Sequence, residues 1–237
     1  MSKPVISQDV LDSLLIPSTA TLTAQLSSLG LWHTFMHEVS PLQTGTKMVG
    51  SAFTLRYIPA REDLDRVPLD NLTDIQRIGI EQIGPGEVLV IDARGDTRAG
   101  TMGNILATRV HRRGATGIVT DGAYRDSPAF LDIDIPSYAR AMNAHTNKTI
   151  HHPADIQLPV GCGGVAVFPG DIVVGDDEGV VVIPRKYAEQ VAERALEQEV
   201  KETFLLKKIE DGASIVGVYP PDEATNAEFE TWKKNRK

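Results

Sequence analysis

A chain of 237 residues, 41% of them hydrophobic, is long enough to bury a proper core, which removes disorder as its default state. Its net charge of −8 comes without a basic block, which argues against a nucleic-acid partner, because phosphate binding needs clustered Lys and Arg. A single cysteine, Cys162, rules out an intramolecular disulfide and thiol metal clusters.

The opening stretch MSKPVISQDVLDSLLIP holds acidic residues among its apolar ones and lacks the charged, apolar, small-residue succession of a signal peptide. No run approaches the roughly 18 apolar residues of a membrane span, so the expectation is a cytoplasmic protein with no membrane partner. Residues 7–15 and 18–29 carry apolar side chains at helical spacing, with Ser18 as cap and Gly30 as stop. Residues 47–58 are rich in β-formers and predict a strand leading into PAREDLDRVPLD, a polar, proline-flanked loop over 59–70. Helical spacing returns over 71–83, and Gly84-Pro85-Gly86 makes a turn before an apolar strand at 88–91. That turn precedes its strand, which defeats a dinucleotide-fingerprint reading.

After Gly103 a helix uses Ile105, Leu106 and Val110 as its buried stripe and ends in the basic turn His111-Arg112-Arg113 before Gly114. Residues 117–120 predict a strand, which puts Arg125-Asp126 just past a strand's carboxyl end, where α/β sheets place ligands. From Val160 onward three short strands, separated by Pro-Gly-Asp and Gly-Asp-Asp-Glu-Gly turns, read as a β-meander. A long helix from 185 to about 209 follows, and the polar tail wraps a neighbour or frays. With no repeat and no linker, residues 1–237 read as a single α/β domain with helical N- and C-terminal arms.

Chemistry concentrates in one segment, Thr101 to Asp126. Gly100 and Gly103 allow a close backbone approach and open a helix whose first N–H groups have no intrahelical partner, so the amides of Gly103, Asn104, Ile105 and Leu106 can hold an anion. Arg125 forks onto a carboxylate, and Asp126 is a hard oxygen ligand suited to magnesium or manganese. Together these groups suit a small oxo-acid better than a nucleotide or a polymer, although the pair alone also reads as an ordinary surface ion pair. Asn104 caps the helix, contacts a ligand, or does both.

Other candidates read more blandly. His33 and His37 stand at i, i+4 without the Glu placement of a zinc helix, and His151-His152 precede a proline in a loop exposed to solvent. Asp176, Asp177 and Glu178 lack the alternation of a calcium loop and make a hairpin turn. Cys162, among glycines, is a packing residue. Glu199 and Glu202 are the carboxylates of the long helix best placed to reach a neighbouring subunit's site, with a solvated face as the simpler reading. No lysine lies between Lys47 and Lys148, which disfavours a Schiff-base route.

The segments GNILATRVHRRGATGIVTDGAYRD, PVGCGGVAVFPGDIVVGDDEGVVVIP and KKIEDGASI resemble, in order and spacing, the RraA-like family. That family includes 4-hydroxy-4-methyl-2-oxoglutarate aldolases that also decarboxylate oxaloacetate. The resemblance implies a swivelling β/β/α domain assembled as a homotrimer or hexamer. It implies a divalent-metal-dependent carbon–carbon lyase acting on a small 2-oxo acid through a pyruvate enolate, with Mg2+ or Mn2+ held by Asp126 and the substrate gripped by Arg125. Other members bind and regulate a ribonuclease without catalysis and lack the metal-binding aspartate, whereas this chain keeps Asp126. Where the lyases have a further aspartate upstream of the arginine, this chain has Asn104, and its 59–70 stretch is longer than the family's loop. A metal-dependent lyase or hydratase of a sugar-derived acid is a third reading.

Overall fold

The computed structural model describes residues 6–65 and 69–235. Serine caps open both N-terminal helices: the Ser7 hydroxyl accepts from the Val10 amide ahead of α1 (Gln8–Leu14), and the Ser18 hydroxyl accepts from the Thr21 amide ahead of α2 (Thr19–Ser28). Gly30, at φ 80°, takes the left-handed turn beyond α2.

Twelve strands follow among the described residues: β1 (Ser40–Pro41), β2 (Met48–Pro59), β3 (Glu87–Asp92), β4 (Gly117–Thr120), β5 (Ala123–Tyr124), β6 (Ser137–Ala139), β7 (Ala141–Met142), β8 (His151–Ile156), β9 (Val160–Cys162), β10 (Val165–Val167), β11 (Ile172–Asp176) and β12 (Gly179–Ile183). The main sheet runs β1-β6-β4-β3-β2-β11-β12, with β8 also on β2. Its centre is parallel, β2 to β3 to β4 to β6, so these strands end at one edge. The long β2 serves two antiparallel partners in turn, β11 along its first half and β8 along its second.

Both faces of the sheet are covered, which is why 88–91 reads as an unbroken apolar run. Leu89 and Ile91 pack beneath α4 (Ile75–Gln82) and α5 (Asn104–Arg112) through Ile80, Ala107 and Val110. Val88 and Val90 meet Val160, Cys162, Val165 and Val167 on the other side. A third cluster seats α1, α2 and the long α7 (Ala188–Glu210) on β11 and β12 through Leu14, Leu22, Leu26, Val191 and Ala195. The last helix, α8 (Glu223–Lys234), is capped by Asp222 and packs Phe229 and Trp232 against Phe204 of α7. No helix among the described residues is long and apolar enough to cross a membrane.

Several expectations are corrected. The 59–70 stretch is not all loop: α3 (Glu62–Asp65) forms one turn, closed by the Asp65 carboxylate accepting from the Arg61 amide, while residues 66–68 lie outside the described residues. The three strands after Val160 are four, because Gly163 and Gly164 at φ 56° and 79° fold VGCGGVAV into a separate hairpin. Over Glu223–Lys234 the polar tail is a helix docked on α7. Glu199 turns inward, accepting from the Ser18 amide and the Thr21 hydroxyl, so it holds α2 to α7. Helix α4 starts later than expected because Asp74, accepting from the Arg77 amide, caps it. His33 and His37 lie exposed outside any helix. The turn at Asp177-Glu178 and the packing role of Cys162, whose thiol burial pushes well above its usual pKa, agree with expectation.

His151 is the larger surprise. It sits in β8, wholly buried, with its ring 5.3 Å from that of Tyr57 and its Nε2 3.3 Å from the Ala99 carbonyl, while Nδ1 has no hydrogen-bond partner among the described residues.

Two predictions follow from these contacts. Asp176, at the β11–β12 turn, accepts from the Thr19 amide and hydroxyl at 2.8 Å each and from the Glu178 amide at 3.0 Å. Asp176→Ala leaves the Thr19 and Glu178 amides without this acceptor and the Thr19 hydroxyl with only a long contact to Glu178, and should cost about 2–4 kcal/mol, read as a lowered urea midpoint. A loss below about 1 kcal/mol would show that the turn holds without the carboxylate. Burial depresses the His151 pKa below its ordinary 6.5, so the unfolded chain binds more protons once the pH drops beneath that value. Stability is therefore fully present above about pH 6.5 and falls as the pH falls through the window beneath it. Unfolding of the wild type and of His151→Phe from about pH 7.5 to about pH 5.5 should show a stability gap that shifts in the variant's favour as the solution acidifies. A constant gap would contradict a neutral buried imidazole.

Candidate active site

At the carboxyl edge of the parallel strands two backbone segments lie against each other. Gly100 bridges Ala123, the Thr101 amide and hydroxyl both donate to the Ala123 carbonyl at 2.7 and 2.9 Å, and the Arg125 amide donates to the Met102 carbonyl at 3.0 Å. A side chain on either glycine would force a neighbour to move. A Cβ on Gly100 would lie 2.8 Å from the Arg125 nitrogen, and one on Gly103 would lie 2.3 Å from Asp126 Oδ2.

Gly103, extended at φ −113°, is the N-cap of α5 and offers no side chain to the helix's first amides. This corrects the capping role expected of Asn104, which is the first residue inside the helix; its carbonyl accepts from the Thr108 hydroxyl. The buried stripe of α5 is Ala107 and Val110, so Ile105, two residues or about 200° around the helix from Ala107, points outward and is 78% exposed. Leu106 is partly buried against the core. Asp126 has a left-handed backbone, φ 61°, a conformation that few residues other than Gly, Asn and Asp adopt readily. The turn opens α6 (Ser127–Phe130) and folds the carboxylate back over Gly103. Its Oδ1 lies 3.4 Å from Arg125 Nε, and both side chains are half-buried.

These residues line a cavity of about 260 Å³, small enough for a compact organic acid. Gly103, Asn104, Ile105, Leu106, Arg125 and Asp126, the six candidates from the sequence, all contribute to it. Four more were not foreseen: Gln76, Arg77, Thr146 and Asn147. The first two belong to α4 and the others to the turn before β8, places with no motif to announce them.

The second wall is tied to the first beneath the cavity. Gln76, buried, donates to the Thr101 carbonyl at 2.8 Å and accepts from Asn147 at 3.1 Å, and the buried Tyr57 hydroxyl donates to the same Thr101 carbonyl. Behind it, Lys148 pairs with Asp74 at 2.6 Å and lies 3.9 Å from Asp65, which also meets His152 Nδ1 at 2.9 Å. Burial works to raise the Asp65 pKa, but the Arg61 amide, His152 and Lys148 together hold it below the usual carboxylate value. The two histidines expected in a loop thus brace the site from β8, His152 through Asp65 and His151 through Ala99.

Among the described residues no group of three or more His, Cys, Asp or Glu side chains converges as a metal cage. Asp126 is a lone carboxylate with one oxygen held over a side-chain-free glycine. That donor set fits a largely hydrated Mg2+ or Mn2+, which needs only one or two carboxylates and takes its other oxygens from water and substrate.

Known proteins share the sequence pattern and the fold. The RraA-like family model, described as Aldolase/RraA, matches residues 9–182. A protein of Halalkalibacterium halodurans named "Putative 4-hydroxy-4-methyl-2-oxoglutarate aldolase" is 30% identical over 181 residues, covering 76% of this chain and 80% of that one. Among solved structures, Streptomyces coelicolor RraAS2, titled an unusual member of the RNase ES inhibitor RraA protein family, superposes with a TM-score of 0.78 at 32% identity, covering 86% of this chain and 98% of that one. An uncharacterized protein from Pseudomonas syringae pv. tomato gives 0.79 at 27% identity, covering 92% and 100%. The fold, the matched span and the relatives agree: the chain belongs to the RraA-like family.

Proposed function

We propose that the cavity is the active site of a divalent-metal-dependent lyase that breaks a carbon–carbon bond in a small 2-oxo acid and leaves the enolate of pyruvate. The observation that carries this reading is the convergence of the uncapped α5 N-terminus, Arg125 and Asp126 on one cavity of about 260 Å³. The name of the Halalkalibacterium halodurans relative supports the same reaction class.

The α5 amides and the positive end of the helix bind the substrate carboxylate. Arg125, steadied by Asp126, sets its guanidinium beside the keto oxygen, where negative charge grows as the bond breaks. Asp126 would hold a divalent ion, which would supply Lewis-acid stabilisation of that charge. The Gly100–Gly103 turn keeps bulk away from the reacting atoms, and the buried Gln76–Thr101 contact fixes its position before substrate arrives. No lysine lines the cavity among the described residues, and Lys148, next to Asn147, is engaged with Asp74, which supports a route without a Schiff base.

A second reading, a protein-binding regulator, draws on the likeness to the Streptomyces coelicolor inhibitor-family structure. Asp126 favours the lyase reading, because it holds a carboxylate, a hard oxygen ligand, over Gly103 at the cavity.

Pyruvate released from oxaloacetate by chelator-treated protein should return when magnesium or manganese is added. In Asp126→Ala the metal response should vanish together with at least about 99% of the rate, because a loss of about 2.7 kcal/mol or more is expected for an anchored Lewis acid. Full turnover without metal would overturn the mechanism. Gly103→Ala tests the cradle independently. The added methyl displaces Asp126 but has an allowed backbone, so activity should fall about tenfold or more while the thermal midpoint moves by only a few degrees. Unchanged activity would mean that Asp126 need not lie over Gly103.

A further inference from the structure

We propose that Arg77 reads a second carboxylate, at the far end of the substrate, and so sets a preference for dicarboxylic over monocarboxylic 2-oxo acids. The inference deepens the lyase reading of the same cavity and rests on it for the orientation of the substrate.

Arg77 is fixed at its root. Its amide donates to the Asp74 cap at 3.1 Å, and the preceding residue, Gln76, is buried and bonded to Thr101 and Asn147. The side chain therefore lines the wall contributed by α4, while Arg125 and Asp126 come from the segment that follows β5.

Unlike Arg125, the other arginine of the cavity, Arg77 lacks a counter-charge among the described residues. Its Nε is buried without a hydrogen-bond partner, and it makes no ion pair with any of the described residues. The acids near it in sequence are taken: Asp74 by Lys148, Glu81 by Arg109 at 2.6 Å, and Asp65 by His152. Arg56, Arg61, Arg98, Arg109, Arg125 and Arg140 each have a carboxylate partner. A partly desolvated guanidinium without an acceptor is unfavourable, and an incoming anion relieves it.

The charges on the cavity point the same way. Arg77 and Arg125 supply two positive charges against the single negative charge of Asp126, before the α5 N-terminus and any cation are added. A monoanion seated at α5 and Arg125 leaves Arg77 unanswered, whereas a dianion answers both. Bond cleavage then leaves the pyruvate half at Arg125 and the carboxylate-bearing half at Arg77. Arg77 takes no part in breaking the bond; it is a binding residue that fixes which half lies at which wall.

Two pairs of probes test this. For binding, calorimetry compares 2-oxoglutarate with 2-oxopentanoate, which have the same chain length and differ in a terminal carboxylate against a methyl group. For turnover, 4-hydroxy-2-oxoglutarate is compared with 4-hydroxy-2-oxopentanoate. The wild type should favour the dicarboxylate in both pairs. Arg77→Gln should weaken the dicarboxylate by about 10- to 100-fold in Kd and kcat/KM, the range of one charge-assisted contact, and leave the monocarboxylate within about threefold. Arg77→Lys, which keeps the charge and loses the planar fork, should retain part of the preference. Equal losses for both acids would make Arg77 a structural residue, and an unchanged preference in both variants would remove it from the site; either result overturns the proposal. Loss of the binding preference in a protein that cleaves neither hydroxy acid would support Arg77 as the carboxylate reader while defeating the lyase reading. Cleavage with no Arg77-dependent preference would do the reverse.

Discussion

The site depends on one backbone contact, the laying of the Gly100–Gly103 turn against Ala123–Asp126. Three hydrogen bonds, two from Thr101 to the Ala123 carbonyl and one from Arg125 to Met102, bring segments separated by more than twenty residues so close that a side chain on Gly100 would strike backbone and one on Gly103 would displace the Asp126 carboxylate. Once that contact exists, the other positions follow. Helix α5 must start at Gly103 with its amides uncapped, Arg125 must leave the segment on the same side, and Asp126 must adopt φ 61° to return over the glycine. The strain of that residue is tolerated because Ala129 and Phe130 both donate to its carbonyl, and stacking of Phe130 on Tyr124 anchors the turn it opens.

A second constraint sets the width of the cavity. Thr101 is shared: its amide and hydroxyl face Ala123, while its carbonyl receives Gln76 and Tyr57. One buried peptide therefore joins the wall holding Arg125 to the wall holding Arg77. The ion pairs behind the second wall, Lys148 with Asp74 and His152 with Asp65, bring the 59–70 stretch and β8 into the same framework. Surface ion pairs stabilise little on their own, but Asp65 and Asp74 have side chains only 4% and 6% exposed, so removing a partner leaves a largely buried carboxylate unpaired.

The first wall was legible in the sequence and the second was not, for a physical reason. Glycines at 100 and 103, an amphipathic helix, a strand and an Arg-Asp pair form a local pattern, because each piece is specified by neighbours a few residues away. Gln76, Arg77 and Asn147 become site residues only through tertiary contact, and a glutamine inside a helical stretch looks the same whether it meets solvent or a buried carbonyl. Strand β8 was hidden similarly. His-His-Pro at 151–153 reads as a loop, since proline interrupts a ladder; among the described residues β8 pairs only with β2, and a register shift between Arg56 and Tyr57 accommodates Pro153. Ile105 misled in the opposite sense. Its apolar side chain fits a buried stripe, yet the start of α5 is fixed by the cavity and leaves that position outside.

The chain carries a net charge of −8, whereas the substrate proposed above is a dianionic acid. The two facts are compatible because charges act over limited distances. At physiological ionic strength the Debye length is about 8 Å, so acids spread over the remote surface are largely screened at the cavity mouth. Inside, Arg77, Arg125 and the uncapped α5 amides lie within reach of any bound ligand and share a partly desolvated environment, where each interaction is stronger than in water. Local charge therefore decides what the cavity holds. The overall negative charge disfavours polyanions at the surface, while the two arginines of the pocket favour a small anion.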